Sequence, residues 1–250
     1  MTSQRTNRTP SRLAAVSGGS SPPQVVVLIS ADIEWQVVNE IYPQVEIHTT
    51  PVGGWFTLRL GASTTSRDVI FLHGGWGKIA AAASTQYAID HWRPDLLVNL
   101  GTCGGFDGQT EKGEIILVDR TVVYDIVEQM GDFDTHIEYY VTEMELAWLE
   151  EDLPTRVRRG VLASADRDLF YDEIPGLVEK YGAVAGDWES GAIAWVAARN
   201  QVPCLILRGV SDIVCPQGSE AYGDLGYFLE GTRQVMEHLL TVLPAWLDCA

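Results

Sequence analysis

QVVVLIS, DVIFLHGG, LLVNL and CLILRGV are four short runs, beginning at residues 24, 68, 96 and 204, in which apolar side chains follow one another almost without interruption. Each is the length of a strand and falls well short of the roughly 20 residues that span a membrane. Between and around them apolar residues recur at helical spacing: in EWQVVNEIY, in an Ala-rich segment from about Lys78 to Trp92, in the residues after Glu189, and in a long C-terminal helix after Ser219. VEIHTT and WFTLRL, joined through PVGG, read as a hairpin, and EIILVDRTVV, RRGVLASA and AVAGDW read as further strands. Strands alternating with helices, with a hairpin among them, predict an α/β fold: one mixed, largely parallel sheet covered on both faces by helices. No repeat or linker divides residues 24–250, so they are expected to form a single domain. Residues 1–23 differ in kind, rich in Ser, Thr, Pro and Gly with Arg5, Arg8 and Arg12 but no acid, and are expected to be a disordered tail. That basic, acid-poor character also fits an organelle transit peptide, whereas the lack of a long apolar segment argues against secretion.

The formal net charge of -17, with no Lys/Arg cluster in the domain, argues against nucleic acid or an anionic membrane surface as a partner and leaves a small molecule. Cys103, Cys204, Cys215 and Cys249 have neither metal-ligand spacing nor the density of a disulfide scaffold. A reducing cytoplasm, and chemistry without a metal or cofactor, are expected.

Unusual residues gather where strands end: SADIEW at 30–35, HGGWGK at 73–78, LGTCGGFDG at 100–108, GDWESGAIAW at 186–195 and RGVSDIV at 208–214. If the strands run parallel, one sheet edge collects Glu34, the Gly-rich loops, Glu189 and Asp212 around a pocket. Taken alone, GDWESGAIAW is equally well explained by Glu189 capping a helix and Asp187 facing water. The glycines let a ligand approach main-chain N–H groups, yet neither loop matches the phosphate-cradling or dinucleotide pattern, so an ATP or NAD enzyme is not expected.

In this order and spacing, LGTCGGF, LASAD, GDWESGAIA and LRGVSD resemble the purine and uridine phosphorylase superfamily, and within it the methylthioadenosine/S-adenosylhomocysteine nucleosidases. The likeness runs from about Val25 to the C-terminal helix. It implies a three-layer α/β/α sandwich with a mixed central sheet, assembled as dimers or hexamers, and a nucleosidase that hydrolyses the N-glycosidic bond of a purine-type nucleoside. By position, Asp212 matches the acid serving the leaving base and Glu34 the glutamate that orders the attacking water. Glu189 matches the carboxylate on the ribose hydroxyls, and Arg208 the arginine close to Glu34. Thr102, Cys103 and Gly104 would lie beside base and ribose with Ser211, and Asp187 would support them. The chemistry is coherent, because breaking the bond puts positive charge on the sugar and negative charge on the base.

The likeness also has departures. Trp188 stands where the family has a methionine against the ribose, and Asp187 where a glutamate is usual. SADRDLFY carries two extra residues, which leaves either Asp168 or Phe170 opposite the base; Phe170 would stack on a purine. Trp76 lies in the loop where phosphorylases hold phosphate, but Ile79 and Ala80 follow Lys78 in place of a serine, and Lys78 is expected to point to solvent. Water is therefore the expected acceptor, with a phosphate-dependent phosphorylase or an inactive nucleoside-binding protein as alternatives. Cys103 as a nucleophile has no histidine near it in sequence. The aromatic stretch PVGGWFTL is expected to be exposed and to pair two copies as a homodimer.

Overall fold

The computed structural model describes residues 24–61, 66–131, 133–149 and 152–249; the expected tail, residues 1–23, lies outside them. In chain order the elements are β1 (Val25–Ile29), α1 (Asp32–Ile41), β2 (His48–Thr49), β3 (Gly54–Leu60), β4 (Arg67–His73), α2 (Lys78–Trp92), β5 (Leu96–Phe106) and β6 (Ile115–Val123). They continue with α3 (Phe133–Glu138), β7 (Thr142–Glu143), β8 (Arg158–Ser164), a single 3-10 turn (Tyr171–Glu173), α4 (Ile174–Tyr181) and β9 (Ala183–Asp187). Last come α5 (Ser190–Asn200), β10 (Cys204–Cys215), β11 (Gly218–Ser219) and α6 (Leu225–Asp248).

The sheet is mixed, as expected. β1 lies parallel between β4 and β5, and β3 returns antiparallel to β4. Beyond β5 the sheet closes on itself. β5 pairs parallel with β10 and antiparallel with β9, while β10 is joined through β6 and β8 back to β9. Closure demands long strands that bend, and this is where the sequence reading needs correction: the expected Gly-rich loop after LLVNL is strand, since β5 runs without a break through GTCGGF, and RGVSDIV is likewise the far half of β10.

Alternation along the buried strands sends side chains to both faces. Val25, Val27 and Ile29 join a core with α1 and α6, including Trp35, Leu239 and Trp246, whereas Val26 and Leu28 join Ala81 and Ala88 of α2 and Ile193 of α5. A third cluster under α4 packs Leu169, Ile174 and Leu177 against Phe106 and Val122. The same alternation overturns the expected exposure of PVGGWFTL. Phe56 is buried and stacked on Phe71 at 5.0 Å, and half-buried Trp55 packs against Trp92 at 5.3 Å, so the two aromatic side chains of this stretch are engaged within the chain, while Pro51 and Thr57 are exposed. Among the described residues no helix is long and apolar enough to cross a membrane.

Candidate active site

At the C-terminal ends of β1, β5, β9 and β10 lies a cavity of about 740 Å³, within the range of small-molecule sites. Its walls include Glu34, Thr102, Asp187, Glu189, Ser211 and Asp212, so residues spread over 179 positions of sequence meet there. Cys103, Gly104 and Trp188 line it as well.

Arg208, on β10 and fully buried, organises one end. Its guanidinium lies 2.9 Å from Asp187, 3.7 Å from Glu189 and 3.8 Å from Glu34, and it donates to Asn99 Oδ1 at 2.8 Å and Ser190 Oγ at 2.9 Å. A charge this deep is tolerated because its donors are met by carboxylates and polar groups. Gly101 makes the room, since a Cβ there would sit 2.1 Å from Arg208 Nη1. Three carboxylates around one cation leave excess negative charge. Burial, with Asp187 and Glu34 adding to it, raises the Glu189 carboxyl to about 8 against the opposing pull of Arg208.

Asp187 and Glu189 divide their work in a way the local sequence left open. Asp187 is the one that holds the start of α5, accepting from Ser190 N at 3.0 Å, Ser190 Oγ at 2.5 Å and Ser164 Oγ at 2.6 Å; it is buried, not solvated. Glu189 makes no side-chain cap and reaches away to accept the Gly77 N–H at 3.0 Å. Glu34 stands in the first turn of α1. Its Oε1 accepts from Thr102 N at 2.6 Å and Thr102 Oγ1 at 2.9 Å, and its Oε2 from Ala31 N at 3.2 Å. A carboxylate offers about four acceptor sites, so one remains for a further donor.

The other end belongs to Asp212. The β5–β10 register shifts between Val210 and Asp212, and the bulge places Ser211 and Asp212 together on the cavity. Asp212 accepts from Ser211 Oγ at 2.6 Å and from Ser219 Oγ. Thr102, which holds Glu34, and Gly104, opposite Asp212, are two residues apart on β5, about 7 Å.

Trp188 is half-buried against Trp76, ring centroids 5.0 Å apart, and both indoles line the cavity. Phe170 is turned outward: it is 56% exposed and absent from the walls, where Asp168 and Leu169 stand instead. The reason is the 3-10 turn that starts after it and the Arg167–Glu173 ion pair at 2.7 Å across that turn. Lys78 also departs from expectation. Its ammonium is paired with Asp125 and lies 3.8 Å from Asp166, whose Oδ1 accepts the Lys78 N–H at 2.6 Å. Burial pushes the Cys103 thiol well above its ordinary range, which disfavours the thiolate a nucleophile needs. Sequence reasoning missed Asp125, which pairs with Lys78, Asn99, which accepts from Arg208, Ser164, which donates to Asp187, and Ser219, which donates to Asp212. Ser164 stands in LASAD, and the others reach their places through tertiary packing without standing in a motif.

The family model of the phosphorylase superfamily matches residues 15–243. The chain belongs to the phosphorylase superfamily. Within that superfamily it is similar to the 5'-methylthioadenosine/S-adenosylhomocysteine nucleosidase of Tolumonas auensis, 25% identical over 212 residues that cover 78% of this chain and 91% of the relative. Solved structures share the superfamily fold at lower identity. The S-adenosylhomocysteine nucleosidase of Streptococcus pyogenes, in complex with 5-methylthiotubericidin, gives a TM-score of 0.70 at 17% identity and covers 91% of this chain and 99% of its own. A futalosine hydrolase mutant of Helicobacter pylori gives 0.69 at 17%, covering 88% and 98%.

Proposed function

We propose that this protein is a nucleosidase that hydrolyses the N-glycosidic bond of a purine-type nucleoside, with 5'-methylthioadenosine or S-adenosylhomocysteine as the model substrates, to free base and the corresponding ribose, which keeps any 5' substituent, without a cofactor. The observation that carries the reading is the division of one cavity into two acidic ends, Glu34 with Glu189 beside Thr102 and Asp212 beside Gly104. Asp212 hydrogen-bonds or protonates the departing base. Glu189 accepts from ribose hydroxyls, and the acceptor site left on Glu34 orients and deprotonates a water on the sugar side. Trp188 and Trp76 wall the sugar.

Water is favoured over phosphate by the state of the α2 N-terminus. The N–H groups of Gly77 and Lys78 and the Lys78 ammonium are the donors an anion would use, and Glu189, Asp166 and Asp125 already engage them. The test is incubation with a nucleoside panel, with and without phosphate, resolving bases and sugars by chromatography. Free base and ribose in both arms are expected. Ribose 1-phosphate would mark a phosphorylase, and binding without product an inactive module.

The same reading extends to the surroundings. The packing of α1 and α6 on one face of the sheet and of α2 and α5 on the other supports reading the fold as a three-layer α/β/α sandwich whose middle sheet is partly closed. The buried thiols Cys103 and Cys204 suit a reducing cytoplasm. Exposed Trp76 and Ile79, at 58% and 85%, suit coverage by a second copy in a homodimer.

A further inference from the structure

We propose that Ser219, which stands behind the cavity wall, is a positioning residue for Asp212, holding the carboxylate that appears when Asp212 gives its proton to the leaving base. The inference rests on the role assigned to Asp212 above.

The placement is a matter of hairpin register. β10 turns at Pro216 and Gln217 into β11, with Gly218 at a φ of +101° where a side chain would be strained, and this pairs Cys215 with Gly218 and Val214 with Ser219. Residues directly opposite in an antiparallel pair share a face, and residues two apart on a strand share a face. Ser219 therefore emerges on the face of Val214 and Asp212. Its hydroxyl donates to Asp212 Oδ2, it is 7% exposed, and it is absent from the cavity walls.

The two serines on Asp212 are not equivalent. Ser211 has one hydroxyl proton and two acceptors in reach, Asp212 Oδ1 at 2.6 Å and the Cys103 carbonyl at 3.3 Å, so it turns to either. Ser219 has its oxygen held by the Ala221 N–H at 3.0 Å, which directs its proton to Oδ2. In the reaction the C–N bond breaks and its electron pair leaves with the base. The Asp212 carboxyl proton passes to a base nitrogen, water adds to the sugar carbon and gives a proton to Glu34, and Glu34 releases that proton to solvent while Asp212 takes one up, which restores both. Ser219 keeps its own proton throughout. Its hydrogen bond strengthens as Asp212 becomes anionic, so it acts on the transition state more than on substrate binding.

The test compares Ser219→Ala, Ser219→Thr and Asp212→Asn on 5'-methylthioadenosine and on 4-nitrophenyl riboside, whose leaving group needs no proton. Ser219→Ala is expected to lower kcat on the nucleoside by about 10- to 100-fold, the size of one hydrogen bond to a charged group, with KM little changed and turnover of the nitrophenyl substrate retained. Ser219→Thr restores the rate, because it keeps the hydroxyl. Equal loss on both substrates, or no loss, while Asp212→Asn remains selective for the nucleoside, overturns the role of Ser219 and leaves the proposed function standing. If Asp212→Asn costs nothing on either substrate, the assignment of Asp212 fails and the role of Ser219 fails with it.

Discussion

Glu189 Oε1 accepts the backbone N–H of Gly77 at 3.0 Å, across 112 positions of sequence. This bond ties the start of α5 to the start of α2 and turns the Glu189 carboxylate toward the cavity, away from its own helix. Glu189→Gln is expected to leave the fold intact and to reduce turnover severely, since the amide puts an NH2 donor where a carboxyl oxygen accepts from a ribose hydroxyl. Circular dichroism and kcat/KM on the same preparation check it, and near-normal activity would return Glu189 to a structural part.

The raised Glu189 carboxyl also makes a statement about pH. Its pKa of about 8 in the folded protein exceeds the ordinary 4.5, so the folded state binds the proton more tightly than the unfolded chain. The contribution to stability is fully present below pH 4.5, declines as pH rises, and is lost by about pH 8. Urea midpoints measured across that window should fall with pH in the wild type and flatten in Glu189→Gln.

Arg208 is the only cation within 4 Å of Asp187, Glu189 and Glu34 among the described residues. Arg208→Met leaves those carboxylates buried without compensation and is expected to cost about 3–5 kcal/mol of stability, the range for breaking a buried ion pair from one side. Chemical denaturation measures it. A loss below about 1 kcal/mol, as for a surface pair, would show that protonation alone absorbs the charge.

Glu34 and Asp212 serve opposite ends of the bond and should fail differently. Asp212→Asn is expected to lower turnover by about 10²-fold or more for purine nucleosides and to spare ribosides with activated leaving groups, whereas Glu34→Gln should impair all substrates alike. Parallel kinetics on both substrate types decides. Matching losses for the two variants would place both residues on one side of the reaction.

Phosphate should neither accelerate the wild type nor yield ribose 1-phosphate, because Asp166 and Glu189 already occupy the N–H groups of Lys78 and Gly77. Product chromatography over a phosphate titration is the measurement. Phosphate-dependent sugar phosphate would transfer Lys78 from its pairing with Asp125 to an anion.

The strand-sized apolar runs were legible because burial on both faces leaves a local signature, and the expected helix from Lys78 to Trp92 matches α2. Glu34, Glu189 and Asp212 were legible for a different reason, because each stands in a short motif where a strand was expected to end, whereas Arg208 and the supporting part of Asp187 came with the family resemblance. The sequence by itself thus determined an α/β sheet and the acids along one of its edges. It did not determine that β5 and β10 run on through their glycines to close the sheet, because closure depends on which backbones can approach, and Gly101 is informative only once Arg208 is known to lie against it. The orientation of Phe170, the burial of Phe56 and the capture of Lys78 by Asp125 were decided only in three dimensions. Each depends on a partner remote in sequence or on the phase of a turn, and neither quantity is carried by the spacing of residues along the chain.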